Sequence, residues 1–155
     1  MRKIYYFDLD GVLAAWDKKF AQAVPDVDIN DFSNMPKAEK DALKQQFINY
    51  DYYRDLDTIE RGMKMLEAAI AEVGIANVVI CSATGTINAD EVARAKREWC
   101  AEKLPAGIKV FLVPKVENKP ECIIDPSANN ILIDDRMRAT QAWEAAGLEA
   151  ILFEE

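Results

Sequence analysis

Five short apolar runs stand out along the chain: Ile4 to Phe7, Val78 to Cys81, Val110 to Val113, Ile131 to Ile133 and Ala150 to Phe153. They are continuous rather than alternating, which is how strands buried on both faces of a parallel sheet read, so each predicts a buried strand. Helical patterns lie between most of them. Met63, Leu66, Ile70 and Val73 follow three-and-four spacing up to Gly74, a residue suited to ending a helix. Val92, Ala95 and Trp99 form a second stripe, and Ala139, Ala142, Trp143 and Ala146 a third that runs into Gly147. Strand alternating with helix predicts an α/β domain, a three-layer doubly wound parallel sheet.

One stretch breaks this rhythm. Residues 14–57 are rich in Asp and aromatics and predict one helix, starting at Pro36 after Ser33 or Asn34 and presenting Leu43, Phe47 and Tyr50 on one face. The expected organisation is a core of residues 1–13 and 58–155 with a small, mostly helical cap, 14–57, inserted after the first strand. That position puts the cap over the carboxyl edge of the sheet, where such folds hold ligands. At 155 residues the chain suits one domain with an insertion rather than two full domains.

Charge and composition narrow the chemistry. With 27 acidic against 19 basic residues the net charge is −8, and no basic tract is present, so neither a nucleic-acid polymer nor an anionic membrane is an expected partner. No apolar run reaches the roughly 20 residues of a spanning helix. The amino end passes from Arg2 and Lys3 into a short run broken by Asp8, without the pattern of a signal peptide, so the expected location is cytoplasmic. Cys81, Cys100 and Cys122 are odd in number and have no CxxC spacing, which predicts reduced thiols rather than a disulfide framework or a zinc site. There is no histidine. Ser-His-Asp and Cys-His catalysis are excluded, and any general acid or base must be a carboxylate, lysine, tyrosine or cysteine.

Candidate chemistry sits where the runs end. After the first comes Asp8-Leu9-Asp10-Gly11; two-residue spacing on extended backbone turns both carboxylates to one side, where a divalent cation would relieve their repulsion, and Gly11 permits a sharp turn. After the second comes Ser82-Ala83-Thr84-Gly85. A hydroxyl with free backbone N–H groups suits a phosphate, although Ser82 or Thr84 would equally serve as a helix cap. Asp134 and Asp135 follow the fourth run and would supply a metal ligand and its supporting partner. Lys115 and Lys119 lie between the third and fourth, and either could place a positive charge on a phosphoryl group.

DxDG, then Ser, then Lys, then an acidic pair, in this order, resembles the haloacid dehalogenase-like superfamily of phosphotransferases across nearly the whole chain. FDLDGVLAAW at 7–16, the Gly62-centred helix leading to VVICSATG, and NILIDDRMRATQAWEAAGLEAILF at 130–153 are most similar to the 5'(3')-deoxyribonucleotidase group. Ala15 stands where that group usually has an acid. The resemblance implies a magnesium-dependent phosphatase for a small phosphate ester, foremost a deoxynucleoside or nucleoside monophosphate. Asp8 would be the nucleophile that forms an aspartyl-phosphate, and Asp10 the acid and then the base. Magnesium would be held by the Asp8 side chain, the Asp10 backbone carbonyl and Asp134, with Asp135 beside it. Ser82 and the backbone at Ala83 would hold the phosphoryl oxygens, Lys119 (or Lys115) would offset their charge, and Trp16 would stack on a base. A sugar phosphate as substrate, or a catalytically silent phosphate- or protein-binding domain, are the alternatives.

Overall fold

The computed structural model describes all 155 residues. Its five strands are β1 (Lys3–Phe7), β2 (Val78–Ala83), β3 (Lys109–Val113), β4 (Asn129–Asp134) and β5 (Glu149–Leu152). All pair in parallel, in the order β3-β2-β1-β4-β5. The helices are α1 (Trp16–Ala23), α2 (Ile29–Ser33), α3 (Lys37–Phe47), α4 (Tyr50–Arg54), α5 (Glu60–Val73), α6 (Ala89–Lys103) and α7 (Met137–Ala145), with short 3-10 helices at Ile75–Asn77 and Val116–Cys122. No helix is long and apolar enough to cross a membrane.

Two hydrophobic clusters flank the sheet, because successive strand residues face opposite ways. Phe7, Val78, Ile80 and Ile133 join Leu66 of α5 and Val92, Ala95 and Trp99 of α6 on one side. Ile4, Tyr6, Val79, Cys81 and Leu132 join Ala139 and Trp143 of α7, with Val116 and Cys122, on the other. Burial on both faces holds for β1, β2 and β4. It does not hold for β3 and β5, which form the sheet edges and leave Phe111, Ile151 and Leu152 exposed. An edge strand lacks a neighbour on one side, so apolar character alone does not decide its burial.

The segment after β1 differs more from expectation: four helices stand where one was predicted. Pro36 caps α3 rather than beginning it, and α3 ends at Phe47, so Tyr50 opens α4 instead of extending the α3 face. Asn49 caps α4, its side chain accepting from the Tyr52 N–H at 2.9 Å. Trp16, Phe20, Phe32, Phe47 and Tyr52 converge into an aromatic cluster whose ring centroids lie 4.8–6.1 Å apart. Such short helices cannot hold themselves, and their order comes from this cluster. The ends of the segment meet, since Ala15 N–H donates to Asp57 C=O and Ile59 N–H to Leu13 C=O, both at 2.8 Å. Its aromatic core is continuous with the α5/α6 cluster.

Candidate functional site

The chain begins in the middle of the sheet, builds outward through β2 and β3, then returns to the far side of β1 for β4 and β5. Loops leaving β1 and β4 therefore diverge, and a crevice opens at their carboxyl ends, the switch point where doubly wound sheets bind ligands. The Asp8 N–H donates to Ile133 C=O at 3.0 Å, which sets Asp8 beside Asp134 at the end of β4. Beyond Asp8 the backbone folds on itself: the N–H groups of Val12, Leu13 and Ala14 all donate to Leu9 C=O. Gly11 takes φ of +84° in this turn, and a Cβ there would overlap the Asp135 carboxylate. Glycine thus serves both the turn and the close approach of Asp135.

Ligand oxygens of Asp8, Asp134 and Asp135 lie within 4.8 Å of one another. Lys119, 1% exposed, donates from Nζ to Asp8 Oδ1 at 2.9 Å and to Asp134 Oδ2. Lys115 is exposed, so of the two candidate lysines only the one at 119 reaches the acids. Burial disfavours its ammonium, yet Asp8 and Asp134 outweigh this and hold its pKa above the ordinary lysine value. Asp8 is likewise buried, but Lys119 keeps its carboxyl below the usual range. Burial, with the Asp8 charge, pushes Asp134 up to about 6 and Asp135 up to about 8. Asp134 Oδ1 accepts the Arg136 N–H at 3.0 Å, whereas Asp135 Oδ1 is buried with no partner.

Asp10 turns elsewhere. Its Oδ2 accepts from Lys96 Nζ at 2.9 Å, and the same ammonium donates to Ser82 Oγ and Ala83 C=O, both at 2.8 Å. Lys96 is 2% exposed and ties the residues after β1 to the end of β2. The sequence alone does not single it out. Its signal is a lysine four residues after Val92 and three before Trp99, on the apolar face of α6. Ser82 is fully buried and Thr84 bonds only its neighbour, Gly85 C=O, so neither side chain caps α6; Asn88 stands at that cap with φ of +49°.

The expected site residues fall into two adjoining groups. Asp8, Asp134, Asp135 and Lys119 form one, and Asp10, Ser82 and Ala83 the other, joined by the unexpected Lys96. Asp135, expected beside an ion rather than on it, stands in the set of possible ligands, because the missing side chain at Gly11 admits it. Arg136, exposed just before α7, adds a guanidinium whose pKa the nearby charges of Asp8, Asp135, Asp10 and Asp134 raise. Trp16 is 8% exposed, stacked on Phe20 at 5.6 Å and 12°, with Nε1 donating to Tyr53 Oη at 3.1 Å. It borders a cavity of about 460 Å³ beside Asp135, lined by Asp17, Asp57, Glu60 and Glu155, with Lys18 the basic member.

No protein-family model matches the chain, and no curated protein matches it in sequence. A solved structure with the same fold is the crystal structure of a hydrolase from Streptococcus pneumoniae TIGR4. It superposes with a TM-score of 0.50 at 15% identity, over 99% of this chain and 94% of that one. At that identity the likeness is one of fold.

Proposed function

We propose that the chain is a magnesium-dependent phosphatase of the haloacid dehalogenase-like type that hydrolyses a small phosphate monoester, foremost a nucleoside or deoxynucleoside monophosphate, through an aspartyl-phosphate. The carrying observation is the trio Asp8, Asp134 and Asp135 at the switch point, one oxygen of which is buried and unpaired. Three carboxylates and a bare oxygen fit a hard divalent cation, which takes oxygen ligands. When bound, such a cation would screen the negative charge of the phosphoryl group and of the acids around it. The hydrolase name of the pneumococcal protein of the same fold agrees with this reading.

Asp8 attacks phosphorus in line, the ester bond to the alcohol breaks, and water later attacks the acyl-phosphate. Lys119 holds Asp8 in place and faces the developing charge on the equatorial oxygens. Asp10 protonates the leaving oxygen and then takes a proton from the water, and Lys96 orients it. Ser82 and the backbone at Ala83 border the phosphoryl position. The cavity beside Asp135 receives the leaving group.

A sugar phosphate is the second reading for substrate. The cavity's acidic lining favours hydroxyl donors over a further anion, and Trp16 spends its ring inside the aromatic cluster. Inorganic phosphate release from a panel of nucleoside and sugar monophosphates, with magnesium and then with a chelator, tests the proposal. Turnover is expected only with magnesium, and is expected to vanish in Asp8→Asn. Turnover unaffected by chelator, or retained in that variant, would refute it.

A further inference from the structure

Cys81 and Cys122 take no part in the chemistry above, yet their Sγ atoms lie 2.6 Å apart. That is far inside the contact distance of two unbonded sulfurs and roughly half an ångström longer than the bond of about 2.04 Å in a disulfide. The residues are 41 positions apart and come from different elements. Cys81 is the fourth residue of β2, immediately before Ser82, and Cys122 ends the 3-10 helix that carries Lys119. Both are buried, at 0% and 4% exposure, in the cluster between the sheet and α7. The Cys81 thiol also lies 3.7 Å from Lys119 C=O. The third cysteine, Cys100, belongs to the opposite cluster.

We infer that Cys81 and Cys122 are an oxidation site that closes to a disulfide with a peroxide as oxidant, clamping the strand end that carries Ser82 to the turn that carries Lys119. Cys122, 4% exposed against 0% for Cys81, is the thiol a peroxide reaches first. It accepts the Cys81 S–H, which together with the Lys119 charge lowers its pKa despite burial, whereas burial pushes Cys100 up to about 12. The Cys122 thiolate attacks one oxygen of hydrogen peroxide; an S–O bond forms, the O–O bond breaks, and the second oxygen leaves as hydroxide, which takes up the proton Cys122 released and becomes water. The Cys81 sulfur then displaces the hydroxyl from Cys122, an S–S bond forms, and the hydroxyl departs as water with the Cys81 proton. Two thiols are oxidised and one peroxide is reduced to two waters. The inference is independent of whatever ester the neighbouring site turns over. All three cysteines are free thiols in the structure, as the sequence predicts; the closeness of two of them has no signal in cysteine spacing, because their elements meet only in the fold.

The test is oxidation of the folded chain by hydrogen peroxide, followed by denaturation, alkylation and mass analysis of the intact protein and its peptides. Alkylation is expected at one thiol instead of three, with Cys81 and Cys122 joined in one peptide pair, and dithiothreitol should restore all three. The bridge closes a loop of some 40 residues and should raise Tm by about 5–10 °C. Cys100→Ala should behave like wild type, and Cys122→Ser should show neither bridge nor Tm shift. Three alkylated thiols after prolonged oxidation, a bridge to Cys100, or Cys122 recovered as sulfinic acid would overturn the inference. Mapping on the wild-type chain decides this even if the Cys122 variant fails to fold.

Discussion

Lys96 is the residue on which the Asp10 and Ser82 group of the site depends. One ammonium satisfies Asp10, Ser82 and Ala83 C=O, so removing it strands three buried or half-buried oxygens at once. Lys96→Met should therefore cost about 3 kcal/mol in denaturant unfolding, the size expected for breaking a buried pair, and should abolish turnover through Asp10. Asp135 makes the opposite case, because its burial is a cost. Its pKa rises from 3.8 unfolded to about 8 folded, so between these values the unfolded chain releases a proton that the folded chain keeps, and stability falls as pH rises. Asp135→Asn should accordingly raise Tm relative to wild type at pH 8 in chelator, with little difference at pH 4. Thermal scans at both pH values check the sign. The acids were legible in sequence because each follows an apolar run, and Lys119 only as one of two lysines between the third and fourth runs; Lys96 was hidden because a lysine on a helix is ordinarily a solvated surface residue.

At the level of elements, α5 docks against the loop after β1 through Gly62, where a Cβ would overlap Val12 C=O. The backbone cannot yield there without moving the turn that sets Asp10 and Gly11. Gly62→Ala should destabilise by about 2–4 kcal/mol and lower activity in parallel, measured by unfolding and phosphate release on the same preparation. Helices α5, α6 and α7 were legible from apolar stripes that end at or near a glycine or run up to an aromatic, and α3 from the Pro36 that precedes it. Helices α1, α2 and α4 were not: they span 8, 5 and 5 residues, too short for a periodic stripe, and an aromatic cluster gathered from distant positions orders them. The strands were legible in position but not in exposure, since the edge places of β3 and β5 follow from sheet order, which no single run encodes.

For the whole molecule, a net charge of −8 disfavours an anionic substrate at long range, so attraction must come from a few local cations. Lys119, Lys96 and Arg136 supply them at one sheet edge, facing Asp8, Asp10, Asp134 and Asp135. A cation at the acidic trio tips that balance and, binding only the folded chain, should stabilise it. At one hundred times its dissociation constant magnesium adds about 2.7 kcal/mol, or roughly 5–10 °C in Tm. The gain should vanish in Asp134→Asn. The most direct measurement is a crystal grown with manganese as a magnesium substitute, with anomalous scattering locating the ion. One strong peak is expected about 2.1 Å from carboxylate oxygens at positions 8 and 134, with the Asp135 oxygen turned toward it. Manganese bound only elsewhere, with the Lys119 ammonium alone bridging those acids, would contradict it.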